Sequence, residues 1–128
     1  MNTLKTYIVD SFTNEPFKGN PAGVCLTNAE IESETMLLIV KELGLSETAF
    51  ITQKTVDSFD IRFFSPVTEM PLYGHATLAS SEVVFERNAK LKQITFTNTQ
   101  GIELEINKSE DEVLNPNGHH PTHLLQSK

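Results

Sequence analysis

The amino-acid sequence predicts an α+β fold in which strands outnumber helices and wrap one central helix. The central helix is residues 75–86, where nearly every side chain from Ala76 to Phe85 is small or apolar. A helix with so little polar face is usually buried on all sides. The 128 residues are a natural size for one domain, so the strands before and after this helix are expected to cover it.

Six segments have the β-branched and aromatic content, or the alternation of apolar and polar residues, that is typical of strands. They are residues 4–12, 23–27, 47–53, 58–66, 91–98 and 102–107. The fourth shows the alternation most clearly, because Phe59, Ile61 and Phe63 fall on one face. The turn "TQG" after Asn98 joins the last two segments into a predicted hairpin.

A first helix is predicted before the third strand. Its apolar residues recur at helical spacing, at Met36, Leu37, Ile39, Val40 and Leu43. Gly44 is a stop signal, and Asn28 or Ser33 is the candidate N-cap.

The chain is expected to divide into one domain over residues 1–108 and a polar tail over residues 109–128. The tail contains two prolines, and residues 112–114 are a candidate short last strand. There is no internal repeat and no linker long enough to separate two domains.

Composition excludes several classes of function. The net charge of −7 argues against a nucleic acid or an acidic membrane as partner, because both require a basic face. A single cysteine, Cys25, excludes an internal disulfide. The N-terminal residues lack the apolar core of a signal peptide, and no run approaches the roughly 20 apolar residues of a membrane span. A soluble cytoplasmic protein is therefore expected.

Glu47 stands between the first helix and the third strand, in the stretch "GLSETAF". Leu45, Ala49 and Phe50 flank it, so its carboxylate is expected to be partly desolvated. Such a carboxylate suits general acid–base chemistry. The alternative is a solvated glutamate in a turn.

The stretch "YGHAT" begins the central helix. The backbone N–H groups of Gly74, His75 and Ala76 lie at the helix start, where unpaired donors and the helix dipole attract carboxylates and phosphates. His75 at that position could donate a hydrogen bond or move a proton. The alternative is a histidine satisfied within the helix start.

Three other features are open to ordinary structural explanations. Asn20 in "FKGNPAG" either projects its amide into a pocket or belongs to a plain turn. The histidines His119, His120 and His123 have spacing that could touch a metal, but no cysteine or carboxylate framework surrounds them, so a tail without metal is expected. Cys25 is expected to be a buried strand residue.

Three stretches occur together in one order: "VDSFTNEPFKGNPAGVC", "LGLSETAFI" and "FDIRFFSPVTEMPLYGHATLAS". This order closely resembles the N-terminal half of the phenazine-biosynthesis (PhzF-like) proteins, and the resemblance covers about residues 4–106. The family shares the diaminopimelate epimerase fold, so the resemblance implies a single domain of that type. In that fold a mixed or antiparallel sheet is rolled around a central buried helix.

The resemblance also implies roles for particular residues. Glu47 matches the family's acid/base, which moves a proton between carbons without a cofactor or a metal. His75 matches the histidine of the family's "GH" pair and is the second candidate catalytic residue. Asn20, Ser46 and Gly74 match residues that line the substrate site. Ala76 is expected to join them as a substrate-binding residue through its backbone N–H.

The sequence departs from the family in two ways. Relatives have two such domains with the site between them, and the second carries a motif resembling "DPVTGSA" that faces the glutamate. Nothing like this motif occurs here. Related epimerases also place a cysteine just before the helix glycine, where this chain has Tyr73, so racemisation by two thiols is not available.

Three hypotheses follow from this combination. The first is an isomerase-type enzyme that transfers a proton on a small carboxylate-bearing metabolite. The second is a non-catalytic half that binds a small anion or a protein partner, and the third is a fragment of a longer gene product. For the enzyme, a homodimer is expected to complete the site and to cover an apolar rim near Phe50 and Leu72. The polar tail folded over the mouth is the alternative cover.

Overall fold

The computed structural model describes residues 4–11, 21–28, 30–108 and 122–127. These ranges contain β1 (Leu4–Ser11), β2 (Ala22–Thr27), α1 (Ser33–Leu43), β3 (Glu47–Gln53), β4 (Ser58–Phe64), β5 (Glu69–Met70), α2 (Gly74–Arg87), β6 (Gln93–Thr97), β7 (Glu103–Asn107) and β8 (Thr122–Ser127).

The strands form one mixed sheet in the order β7-β6-β4-β3-β2-β1-β8, and β5 pairs with β4. Two pairs are parallel, β2 with β3 and β4 with β6, and the other pairs are antiparallel. A parallel pair needs a crossover connection, and the two helices supply it, because α1 joins β2 to β3 and α2 lies between β4 and β6.

The main hydrophobic core surrounds α2. Ala76, Ala79 and Val83 are fully buried in a cluster that also contains side chains of β1, β2, β3, β4 and β6. One helix can touch strands so far apart in the sheet only if the sheet curves around it. The predicted α+β fold with a sheet wrapped around a central buried helix is therefore confirmed.

Burial of α2 on nearly all sides is confirmed by Ala79 and Val83, which are fully buried, and Leu78 is an exposed apolar residue of this helix. Leu78 is 42% exposed. In the described part of the chain, β7 pairs only with β6 and β8 pairs only with β1, so the sheet does not close around the helix. One side of α2 is consequently left uncovered.

A second, smaller core lies on the opposite face of the sheet, under α1. It contains Cys25, Met36, Val40, Phe50 and Phe64. The ring of Phe50 meets the ring of Phe64 edge-on, with the centroids 5.5 Å apart. This packing holds α1 against the middle of the sheet.

Arg62 ties the start of α1 to the sheet. Its guanidinium donates to both carboxylate oxygens of Glu69, at 2.8 and 2.7 Å, and to Ser33 Oγ at 2.6 Å. The hydrogen bonds that Arg62 donates to Glu69 raise the pKa of Arg62, and burial opposes this shift. Ser33 is thus engaged by Arg62, and the N-cap of α1 is Glu32, whose side chain makes no capping hydrogen bond. The prediction of Asn28 or Ser33 as N-cap was wrong.

The end of α1 follows the sequence signal. Gly44 adopts the left-handed conformation, with φ at 69°, and its N–H donates to the carbonyl of Val40 at 3.0 Å. This conformation is the ordinary one for a glycine just after a helix.

The end of the chain adds β8 to the sheet, antiparallel to β1, with Thr122 opposite Ser11 and Ser127 opposite Thr6. Sequence reasoning did not identify this strand. The candidate strand at 112–114 lies outside the described residues, as do His119 and His120. Neither helix of the described ranges is long and apolar enough to cross a bilayer.

Candidate active site

Glu47 is the first residue of β3, directly opposite Ala22 of the parallel strand β2. Side chains alternate along a strand, so Glu47 shares a face with Ala49 and Ile51. Both of these residues are fully buried in the core around α2. The Glu47 side chain therefore lies on the face of the sheet that α2 covers.

The carboxylate of Glu47 is only partly satisfied. The side chain is half-buried, and its Oε1 atom is inaccessible to solvent without a hydrogen-bond partner among the described residues. A buried polar atom without a partner costs free energy of about 1–3 kcal/mol, and more when the group is charged. Such an oxygen is a ready acceptor for a donor on a bound molecule.

The first turn of α2 lies close to the start of β3. Tyr73, the N-cap residue, places its ring edge-on against Phe63, with the centroids 6.4 Å apart. Phe63 is directly opposite Ala49, which is two residues beyond Glu47 on the same face. This contact brings the beginning of the helix to the end of the sheet that carries Glu47.

The far end of α2 confirms this direction. Val84 and Arg87 line a cavity together with Leu26 and Gln53, which belong to the last residues of β2 and β3. The helix therefore runs in the same direction as β2 and β3. Its N-terminus lies at the end where these strands begin.

The N-terminus of α2 is a candidate binding position for an anion. Tyr73 makes no side-chain capping hydrogen bond, and the first turn has no acidic residue. Gly74 is exposed, Ala76 is buried, and His75 is half-buried with its Nε2 atom inaccessible to solvent. The first-turn N–H groups and the positive end of the helix dipole are suited to a carboxylate.

The remaining predicted residues lie at the same end of the sheet or outside the described residues. Ser46 is exposed and precedes Glu47. Asn20 lies outside the described residues, and its neighbour Pro21 leads into Ala22, the register partner of Glu47. The fold thus gathers Ser46, Glu47 and the start of α2 at one end of the sheet. Their roles in catalysis and binding stay predictions.

The expected surroundings of Glu47 were wrong in one respect. Phe50 is 1% exposed and packs under α1, because it lies on the opposite face of β3. It belongs neither to the environment of Glu47 nor to an exposed rim. Leu72, the other predicted rim residue, is 44% exposed.

Two further exposed apolar residues that sequence reasoning missed lie near this end. Val67, 79% exposed, is in the turn after β4, and Ile102, 49% exposed, is in the turn before β7. The Asn98 side chain donates to the carbonyl of Pro71 at 3.1 Å, which links the turn before β7 to the loop before α2. Val67, Leu72 and Ile102 come from three separate loops, so no local sequence pattern connects them.

Thiol chemistry is disfavoured in the described part of the chain. Cys25 is fully buried. Burial raises the pKa of its thiol to about 11, and the hydrogen bond with Thr6 offsets part of this shift. A thiol with so high a pKa is a weak nucleophile and a weak base in neutral solution. Over the same residues, no group of three histidine, cysteine or acidic side chains is arranged to hold a metal ion.

Comparison with known proteins gives the family. The family model described as "Phenazine biosynthesis-like protein" matches residues 9–116. The chain belongs to the phenazine biosynthesis-like family. The resemblance found in the three sequence motifs is thereby confirmed.

Two curated relatives show how this phenazine biosynthesis-like chain aligns. It is 41% identical over 119 residues to the phenazine biosynthesis-like domain-containing protein 1 of Mus musculus, covering 87% of the chain and 41% of that protein. It is 42% identical over 104 residues to an uncharacterised isomerase of Halalkalibacterium halodurans, covering 80% of the chain and 39% of the isomerase.

A solved structure agrees with the fold. The phenazine biosynthesis protein of the PhzF family from Enterococcus faecalis matches with a TM-score of 0.76 and 38% identity, over 84% of this chain and 42% of that one. This phenazine biosynthesis-like chain thus spans about two fifths of the length of the relatives that it matches.

Proposed function

We propose that this chain carries the acid/base half of a cofactor-independent isomerase site, with Glu47 transferring a proton on a small carboxylate-bearing metabolite. The observation that carries the proposal is the Oε1 atom of Glu47, which is buried without a partner among the described residues. A carboxylate kept in this state at the edge of a core is better explained by a ligand than by stability. The name of the Halalkalibacterium halodurans relative, an isomerase, supports the same reaction class.

The proposed chemistry uses two neighbouring features. The substrate carboxylate binds the N–H groups at the start of α2, including that of Ala76, and His75 donates a hydrogen bond to it. Glu47 accepts the proton from a carbon near that carboxylate. The electron pair left on carbon delocalises toward the carboxylate or an adjacent double bond, and the proton returns to another position. Electrostatic support for the developing negative charge comes from the helix dipole.

The site is proposed to be completed by a second copy of the chain. Relatives are more than twice as long, and the exposed Val67, Leu72 and Ile102 leave apolar surface near Glu47. A two-fold axis presents the same surface from both copies, so each would cover the other. Two Glu47 carboxylates brought close could share a proton, one serving as the acid and the other as the base.

Deuterium exchange tests the catalytic proposal. The protein is incubated in D2O with a pool of small amino, hydroxy and unsaturated carboxylic acids, and mass spectrometry follows the gain of one deuterium. At least one acid should exchange, and Glu47→Gln should slow this exchange by about 10²–10⁴-fold. Glu42→Gln, on the exposed surface of α1, is the matched control and should exchange like wild type. Exchange that survives in Glu47→Gln, or no exchange at all, contradicts the proposal.

A non-catalytic binding half is the second candidate, favoured by the coverage of only about two fifths of the relatives' length. Light scattering over a range of concentrations separates the two candidates when it is combined with the exchange assay. Under the enzyme proposal, Leu72→Asp should abolish both the dimer and the exchange, whereas Leu38→Asp, at a 64% exposed site on α1, should change neither. A chain that is monomeric at every concentration, binds small carboxylates and exchanges nothing would favour the binding half.

A further inference from the structure

The end of α2 that lies far from Glu47 contains a concave site. It is a cavity of about 630 Å³, bounded by the last residues of β2, β3 and α2. A volume of this size is within the range of pockets that hold small molecules. Along β3, the cavity residue Gln53 is six positions from Glu47, a separation of about 20 Å. The cavity is therefore a different place from the candidate active site.

The cavity has an apolar floor. Phe59 and Val84 are almost fully buried, and Leu26 and Leu91 are half-buried beside them. These side chains come from two strands, from α2 and from the segment after α2. Such a floor suits the hydrocarbon or aromatic body of a ligand.

Two cations stand at the rim. Lys5 and Arg87 are both exposed lining residues, and no aspartate or glutamate is among the described residues that line the cavity. Among the described residues, neither cation is part of an ion pair.

Arg87 is held in position from the core side. One of its guanidinium nitrogens donates to the hydroxyl of Tyr7 at 2.8 Å, and Tyr7 is 4% exposed. A guanidinium fixed in this way loses less freedom when it binds an anion. The C-terminus of α2 brings a partial negative charge of about half a unit to the same end, which two full positive charges outweigh.

Side-chain amides complete the lining. Asn28, Gln53 and Asn88 lie around the cavity and can each donate or accept a hydrogen bond. The arrangement is a cationic rim above an apolar floor, with amides between them. We propose that this cavity binds a small organic anion, a carboxylate carried on an apolar body, independently of the Glu47 site.

Benzoate is a suitable probe, with benzamide as its uncharged analogue of nearly the same shape. Each is titrated at millimolar concentration into the ¹⁵N-labelled full chain, and amide chemical shifts are followed. Benzoate should shift the amides of Thr27, Asn28, Gln53 and Asn88, and benzamide should bind at least about fivefold more weakly. Equal binding of the two compounds, or no shift at these amides with benzoate, overturns the proposal.

Substitutions of charged residues test whether benzoate binds in this cavity. Lys5→Gln and Arg87→Gln should each weaken benzoate binding about fivefold. Arg87→Lys keeps the charge and should retain most of the affinity, which controls for loss of the Tyr7 contact. Lys41→Gln, which removes an exposed charge from the last turn of α1, should bind like wild type. A loss in Lys41→Gln as large as in Lys5→Gln, or shifts centred on Ser46, Glu47 and His75, would show that the anion is not bound in this cavity.

Discussion

The two faces of the sheet around β3 differ in how completely their side chains are packed and hydrogen-bonded. On the face under α1, Phe50 packs edge-on against Phe64, and Arg62 is joined to Glu69 by two hydrogen bonds. On the face under α2, Ala49 and Ile51 are fully buried. Glu47, the first residue of β3 on that face, has a carboxylate oxygen without a hydrogen-bond partner among the described residues.

This difference shows that neighbouring positions of one strand can serve different roles, one in stability and the other in function. The alternation of side chains puts Glu47 and Phe50 on different faces, although only two residues separate them. Substitutions on the α1 face are therefore expected to change stability. A substitution of Glu47 is expected to change function while leaving stability alone.

The largest effect on stability is expected for Phe50→Ala. Phe50 is 1% exposed, so truncation removes buried ring contacts and leaves a cavity. The free energy of unfolding in urea should fall by about 3–5 kcal/mol. Leu38→Ala, at a 64% exposed position on α1, should stay within about 0.5 kcal/mol of wild type. A small loss in Phe50→Ala would mean that the α1 face is loosely packed.

The thiol of Cys25 allows burial on the α1 face to be tested by varying the pH. Burial raises the pKa of its thiol from 9.0 to about 11 in the folded chain. The folded state thus holds the thiol proton more tightly than the unfolded state. The resulting stabilisation is fully present below about pH 9 and is lost as the pH rises through 11. Its full extent is about 3 kcal/mol.

The measurement compares wild type with Cys25→Ala in urea at several pH values. Both chains share every other titrating group, so the difference between their free energies of unfolding isolates the thiol. This difference should shift against wild type by about 2 kcal/mol between pH 9 and pH 11. A difference that is independent of pH would show that the thiol is accessible to water.

Thr48 is an exception on the α1 face of β3, because its side chain is not fully hydrogen-bonded within the described residues. It is fully buried, and its hydroxyl has no hydrogen-bond partner among the described residues. Thr48→Val removes the unmatched hydroxyl and keeps the shape, so stability should rise by about 1 kcal/mol. Thr6→Val is the control, because the Thr6 hydroxyl is 3.7 Å from the sulfur of Cys25, and it should lose stability. A loss in Thr48→Val would reveal a partner for this hydroxyl.

Features of the fold that depend on neighbouring residues could be predicted from the sequence. The alternation of Phe59, Ile61 and Phe63 placed them on the buried face of β4, and Gly44 ended α1 as expected. Features that depend on distant partners could not. Ser33 is engaged by Arg62, which is 29 positions away, and β8 is defined by its pairing with β1 rather than by its own polar sequence.

The candidate site shows the same limit. The motifs supplied Glu47 and His75, and the fold explains how they reach one end of the sheet. The apolar flank expected around Glu47 included Phe50, which was wrong because strand neighbours face opposite ways. The cavity at the other end combines residues from Lys5 to Leu91, and no spacing in the sequence connects them.

The stability of Glu47→Gln tests most directly whether the carboxylate is present for chemistry rather than for structure. Glutamine keeps the shape and removes the charge and the proton acceptor. Because Oε1 has no partner among the described residues, the free energy of unfolding in urea should stay within about 0.5 kcal/mol of wild type or rise slightly. A loss of more than about 1 kcal/mol would show that the Glu47 carboxylate holds the fold together, and would contradict its assignment as the proton-transfer group.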